Sequence, residues 1–371
     1  MKKVKKLNII GILMLPFAII ISYLASYFPN IVERFYAQKI YPWIGQTLSC
    51  ITGIFPISLG EIIVICLILF IAFNIISFLY HVAREKQNRR EIILGYTKAL
   101  LLHISLFYFV FIFIWGLNYH RMPFSHIAGL DVKPSSVKEL NILCVSLIDR
   151  ANALREKAFE DQDGIMKLSK DKSDIFSRTH LGFMNASHSI PALGGNYGRP
   201  KGVIFSKAMS YMGISGIFFP FTAEANVNID IPDAMIPSTA CHEMAHQRGF
   251  AREDEANYIA YLASTIHPDA DFQYSGVLLA LLHSMNALYA HDSASYKKLK
   301  LLYNEGLQRD LANVTAYWKQ YEGPIEKVHT KMNDVYLKSN MQEDGVHSYG
   351  RMVDLLLAEH RAKLSKTNEY E

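Results

Sequence analysis

The sequence predicts a mostly α-helical membrane protein in two parts. Three N-terminal transmembrane helices precede an α+β domain with a small sheet and a largely helical C-terminal half. Three observations lead there. Half of the 371 residues are apolar and mean hydropathy is slightly positive, a balance soluble globular chains rarely reach. The apolar residues gather in three long runs within the first 120 positions. From Tyr119 onward the composition is that of a soluble domain, and β-prone runs occur only between His180 and Asp233.

The apolar runs extend from about Leu7 to Phe28, Ile57 to Tyr80 and Ile92 to Leu117, each long enough for the roughly 20 residues that cross a bilayer core as a helix. The first run exceeds the roughly 7–15 residues of a signal-peptide core and lacks a small-x-small cleavage site, so it reads as retained. Lys2, Lys3, Lys5 and Lys6 precede the first run, and Arg84, Lys86, Arg89 and Arg90 lie between the second and third. The positive-inside rule places both basic flanks, and hence the N-terminus, in the cytoplasm. Three crossings then put residues 119–371 outside it, with residues 1–118 as the membrane region in contact with the lipid bilayer. A net charge of +4 without a basic stripe beyond the N-terminal third argues against a nucleic-acid partner. Cys50, Cys66, Cys144 and Cys241 fit no zinc-knuckle or CxxC spacing, and no disulfide framework is expected.

In the second part, "SSVKELNILCVSLIDRANALREKAFEDQ" has helical apolar spacing, with Ser135 or Ser136 as its cap. "PALGGNYGRPKG" is rich in turn formers and lacks the GK[ST] ending of a phosphate loop, so it reads as a plain loop. The runs "GVIFS", "GIFFPF" and "ANVNIDI" read as short strands. Helical patterns then cover roughly 237–248, 252–265, 274–290, 294–321, 324–338 and 347–364. The apolar "GVLLALLHSMNALYA" is short for a span and carries His283 and Asn286, which predicts a buried core helix.

The chemistry concentrates in "CHEMAHQRGFAREDEANYIAYLA". His242 and His246 are four apart, which sets both imidazoles on one helix face, one turn apart. Two such histidines can hold one tetrahedral Zn²⁺, and Glu243, one step round the helix, reaches a water on the ion without ligating it. The metal lowers that water's pKa to about 7, and the carboxylate acts as general base. The HExxH order is therefore the order this chemistry requires. Ala240, Cys241, Met244 and Ala245 are small or apolar, as a buried helix demands, and Gly249 falls where a helix stop belongs. Cys241 lies about 100° round the helix from His242 and reads as a buried structural thiol.

A third ligand is needed. Arg252 stands where the metzincin pattern HExxHxxGxxH has its last histidine, which excludes that class. The following helix offers Glu253, Asp254 and Glu255. Glu253, Asn257 and Tyr261 share one face, while Glu255 lies about 200° away. The segment resembles the ExxA[DN] second motif of gluzincins, and that resemblance implies Glu253 as the ligand and Asn257 as the residue supporting it. Asn in place of the usual Asp and a shorter gap after His246 depart from the pattern, and Glu255 remains the alternative.

"GISGIFFPFTAEANVN", the HExxH stretch and "DGVHSYGRMVDLLL" together resemble a bacterial membrane-protein family catalogued as domain of unknown function 3810, over nearly the whole chain. The resemblance implies membrane helices followed by a zincin-like domain, and so a membrane-anchored zinc metallopeptidase acting on a peptide or protein substrate outside the cytoplasm. Phe221 to Ile229 is expected to be an edge strand pairing with an extended substrate, with Glu224 and Asn226 facing it. Tyr349 and Arg351, ahead of His283, are the expected donors to a developing oxyanion. An intramembrane protease and a non-catalytic, zinc-stabilised receptor or assembly factor are the competing readings; oligomeric state is not legible.

Overall fold

The computed structural model describes the backbone of residues 2–340 and 351–368, and side chains of residues 11–340 and 351–365. Helix α1 (Lys2–Tyr27) runs through Pro16 and ends before Phe28, which precedes Pro29 and leaves the helical region at φ -127°, ψ 53°. The chain bends by 100° there and runs on through a π-helical stretch, Val32–Ile40, into α2 (Tyr41–Thr52). This second leg was not foreseen from the sequence, because its apolar residues are diluted by Glu33, Arg34, Gln38 and Lys39. One side of it, with Val32, Glu33, Tyr36, Ala37 and Tyr41, is buried.

Helices α3 (Leu59–Arg84) and α4 (Arg89–Ile114) are each long and apolar enough to cross a membrane, and the bent pair Gly11–Tyr27 with Pro29–Thr52 makes a third if counted as one span. The start of α3 is tied to the rest of the protein. Ser58 caps it by accepting from the Glu61 N–H, and Glu224 accepts from the N–H groups of Leu59 and Gly60. A carboxylate is the favoured partner of free helix N–H groups.

Helix α5 (Val137–Arg155) begins at a reciprocal capping box between Ser136 and Glu139, which settles the cap in favour of Ser136. The sheet contains β1 (Lys201–Val203), β2 (Gly216–Phe219) and β3 (Glu224–Asn228) in the order β1-β3-β2, with β3 parallel to β1 and antiparallel to β2. Helices α6 (Ile236–Gln247), α7 (Glu253–Thr265) and α8 (Ala270–His291) pack beside it. Fully buried Ala240, Ala245, Ala256, Ala260 and Ala280 let these helices approach closely. Helix α8 is a core helix, as its polar residues predict, although at 22 residues it is longer than the 274–290 expected. Toward the C-terminus come α9 (Pro324–Ser339) and α10 (Met352–Asn368). The expected single helix over 294–321 is two, because the chain turns at Lys300–Leu302 and Asn304 caps a new start at Glu305.

Helices α6 and α7 are joined by a tight reversal at Gly249, which has φ +83°. A Cβ there would also meet the Tyr41 ring at 2.8 Å and the Asn118 side chain at 2.9 Å. Both the conformation and the space therefore require glycine. Gly249→Ala is expected to lower stability by about 1–3 kcal/mol, read as a lower melting temperature of the purified full chain. Gly95→Ala, in the interior of α4 with nothing within 4 Å of the added Cβ, is the control and is expected to melt no lower than the wild type.

Candidate metal centre

The turn at Gly249 brings α7 back against the face of α6 that carries the two histidines. His242 Nε2 and His246 Nε2 face each other 3.0 Å apart, and Glu253 Oε2 lies 3.2 Å from the first and 3.5 Å from the second. These three atoms converge on one point, as one ligand atom from each residue must to hold a single ion. A tetrahedral ion at about 2.0–2.1 Å from its donors separates them by roughly 3.3 Å, which the three distances bracket. His246 Nδ1 donates to the Phe250 carbonyl at 2.7 Å, which leaves Nε2 bare and aimed at the cluster. The residues present therefore fit a zinc-type ion.

The electrostatics follow from burial and proximity. Burial works against a charged His246, but the Glu253 carboxylate overcomes it and lifts the imidazole to about 9. Burial also works against the Glu253 anion, yet the two histidines hold its carboxyl well below the usual carboxylate range. Glu243 is buried beside them. Burial pushes its carboxyl up to about 7 against the pull of both histidines and of a hydrogen bond from the Phe218 backbone N–H. A buried acid poised near neutrality beside a ligand cluster suits proton transfer.

Strand β2 supports Glu243 directly. A Cβ on Gly216 would lie 2.4 Å from Glu243 Oε1 and 2.8 Å from its Cδ and Cγ. Only glycine leaves room for that carboxylate.

The alternative acid is accounted for. Glu255 points away from the cluster; its Oε1 accepts from the Phe124 N–H and from Arg252 Nη1, each at 2.8 Å. Asn257 lies one turn beyond Glu253, is buried, and its Nδ2 has no hydrogen-bond partner among the described residues.

The expected substrate strand is corrected. β3 is the central strand, so both its edges are paired and it cannot take up a peptide; β1 and β2 are the edges. Glu224 is buried and already committed, accepting from Leu59 N, Gly60 N and Thr222 Oγ1 and pairing with Lys201 Nζ. Asn226 is buried too, its Nδ2 donating to the Glu224 carbonyl. Glu224 is therefore not free to face a substrate, because its strand lies at the centre of the sheet and not at an edge; Asn226 Oδ1 has no hydrogen-bond partner among the described residues.

Arg351 is half-exposed, and its Nε lies 3.8 Å from Asp254 Oδ2, one residue beyond Glu253. Tyr349 falls outside the described residues. His283, on α8, is close enough for its titration to feel His242; burial first and His242 second bring it down to about 4. Two tyrosines that sequence reasoning missed flank the cluster. The Tyr119 and Tyr336 hydroxyls are 2.9 Å apart, and each is raised chiefly by burial and further by the Glu253 charge. Trp115 packs edge-on to His246, with ring centres 6.1 Å apart. The only signal was the aromatic run "WGLNYH" at the end of the third apolar segment, which reads as an interface belt.

Residues 36–357 match a family described as "protein of unknown function (DUF3810)". The match covers most of the chain, and the protein belongs to that family. Neither the curated proteins nor the solved structures contain a match.

Gly216→Ala is expected to lower the melting temperature, by overpacking worth about 1–3 kcal/mol. In a Glu243→Ala background the same change is expected to be nearly neutral, since the group it strikes is gone. Equal effects in both backgrounds would contradict the Gly216–Glu243 contact.

Proposed function

We propose that the protein is a membrane-anchored zinc-dependent metallopeptidase that hydrolyses peptide bonds outside the cytoplasm. The convergence of His242 Nε2, His246 Nε2 and Glu253 Oε2 beside the buried Glu243 carries this reading. A zinc ion held there would polarise a substrate carbonyl and bring the pKa of its own water to about 7. Glu243 takes a proton at its carboxylate and returns it to the leaving amine, and its place beside the ligand cluster serves both steps. Strand β2 lies at an edge of the sheet next to Glu243, the position from which main-chain groups can pair with an extended peptide. The Tyr119–Tyr336 pair offers a hydroxyl donor to developing negative charge, a role for which Tyr349 and Arg351 were the first expectation from sequence and His283 the next.

The orientation rests on the basic flanks before α1 and between α3 and α4, with the bent pair counted as one crossing. Protease cleavage within the exposed, irregular stretch 131–136 on intact cells supports it. Cleavage only after permeabilisation would contradict it.

Metal analysis of the purified chain is expected to give stoichiometric zinc. His246→Ala and Glu253→Gln lose it; Glu255→Gln retains it. Glu243→Gln keeps the metal and lowers peptide turnover by roughly 10²–10⁴-fold. A well-folded wild type without zinc sinks the reading, and a Glu243→Gln protein with its cellular role intact favours the receptor or assembly factor.

Zinc and a proton compete for His246, which is protonated below about 9 in the metal-free protein. Zinc binding at pH 7 is therefore expected to release protons, and apparent affinity to rise with pH through that range. Calorimetry in buffers of different ionisation enthalpy measures the release; a binding enthalpy independent of buffer would contradict it.

A further inference from the structure

A second cavity, of about 350 Å³, lies behind the histidine helix. Met244 and Arg248 of the α6 segment line it. They share a face about 200° round the helix from His242 and His246, so the cavity is separate from the candidate metal centre. Its walls divide by chemistry. Phe183, Leu193 and Met244 are apolar, while Arg248, Arg199 and His180 are basic. No Asp or Glu lines it among the described residues.

Arg248 is the unusual member. It is buried, and it donates from Nε to the Leu193 carbonyl at 2.7 Å and from Nη1 to the Met244 carbonyl at 3.0 Å. The rings of Phe183 and Tyr197 lie 3.9 and 4.7 Å from its guanidinium carbon. These partners are neutral, and no hydrogen bond from Nη2 is made among the described residues. A guanidinium keeps its charge at neutral pH even when buried. Two other buried arginines are treated differently. Arg121 is paired with Glu33 at 2.8 Å and Arg155 with Asp310 at 2.7 Å. A buried charge is ordinarily paired, because leaving it without a counter-charge is costly.

The rim of the cavity is held in place. The Asn196 N–H donates to Gln46 Oε1 at 2.7 Å and the Gly198 N–H to Ser49 Oγ at 3.1 Å. Gly195 has φ +110°, and a Cβ there would meet the Tyr197 ring at 2.6 Å, so glycine is what lets Tyr197 lie over Arg248. The glycine-rich loop is thus a fixed wall of the cavity.

We propose that this cavity binds a small organic anion, a carboxylate on an apolar or aromatic body, whose negative charge supplies the counter-charge that the protein omits for Arg248. The aromatic faces and Met244 take the body, and Arg199 and His180 at the exposed mouth favour entry of negative charge.

The test is calorimetric titration of the full chain in neutral detergent with phenylacetate, its uncharged analogue phenylacetamide, and inorganic phosphate. Phenylacetate is expected to bind at one site per chain, with phenylacetamide and phosphate each at least roughly tenfold weaker. Arg248→Gln is expected to abolish binding. Because that change also removes bonds to two backbone carbonyls, the exposed Arg199→Glu and Met184→Trp serve as second variants, and each is expected to weaken binding several-fold at unchanged melting temperature. Absence of saturable phenylacetate binding up to about 10 mM, equal affinity for phenylacetamide, or wild-type affinity in both rim variants overturns the proposal. Phosphate binding as tightly as phenylacetate overturns the organic-anion assignment. The readout uses neither zinc nor peptide hydrolysis, so it stands or falls apart from the proposed enzyme activity.

Discussion

The structure depends on a single reversal, the turn at Gly249, and on what holds it from outside. Without that turn Glu253 would continue away from the two histidines. Arg121 reaches the turn from the segment after the third apolar helix. It donates to the Gly249 carbonyl at 3.0 Å, pairs through two hydrogen bonds with Glu33, and lies over the Phe250 ring. From the other side the Tyr41 hydroxyl donates to the carbonyls of His246 and Gln247. Glu33 and Tyr41 belong to the bent leg after α1, so the membrane-proximal helices clamp the end of the histidine helix. Such a buried ion pair adds little net stability, because desolvation offsets its attraction, but breaking one partner is costly. Its value here is geometric. It ties three distant stretches of chain to one carbonyl.

A second attachment links the sheet to the membrane region. Glu224 caps α3 and pairs with Lys201, which also donates to the carbonyls of Thr52 and Ile57. The sheet that supports Glu243 is thereby set on the start of an apolar helix. The cluster consequently lies at the junction of the two parts, with Trp115, one residue past the end of α4, against His246. The apolar surroundings raise Glu243, and the same low polarizability strengthens the attraction between Glu253 and the histidines. One environment therefore drives two carboxylates in opposite directions.

Much of this was legible in the chain alone. The i, i+4 spacing of His242 and His246, the stop at Gly249, a serine cap near 135–136 and the three short strands are local patterns, and local geometry obeys them. Helical face separated Glu253 from Glu255, and the gluzincin resemblance favoured Glu253. The errors were of another kind. Strand β3 was expected at an edge and is central, with all five of its residues buried, since a strand's own residues do not say which strands pair with it. The leg from Pro29 to Thr52 was missed because burial there follows from contacts with α6 and the sheet, and its own residues are too polar to announce it.

By itself, then, the sequence determined the apolar helices, the histidine pair with its neighbouring acid, and the helix that returns Glu253, because each is written in the periodicity of adjacent residues. The tertiary structure alone decided that Tyr119 and Tyr336 meet beside Glu253, that Gly216 makes room for Glu243, and that Glu224 serves a helix start. Each of these joins residues far apart in the chain, and the turns and buried pairs that bring them together leave no periodic trace in either partner's own neighbourhood.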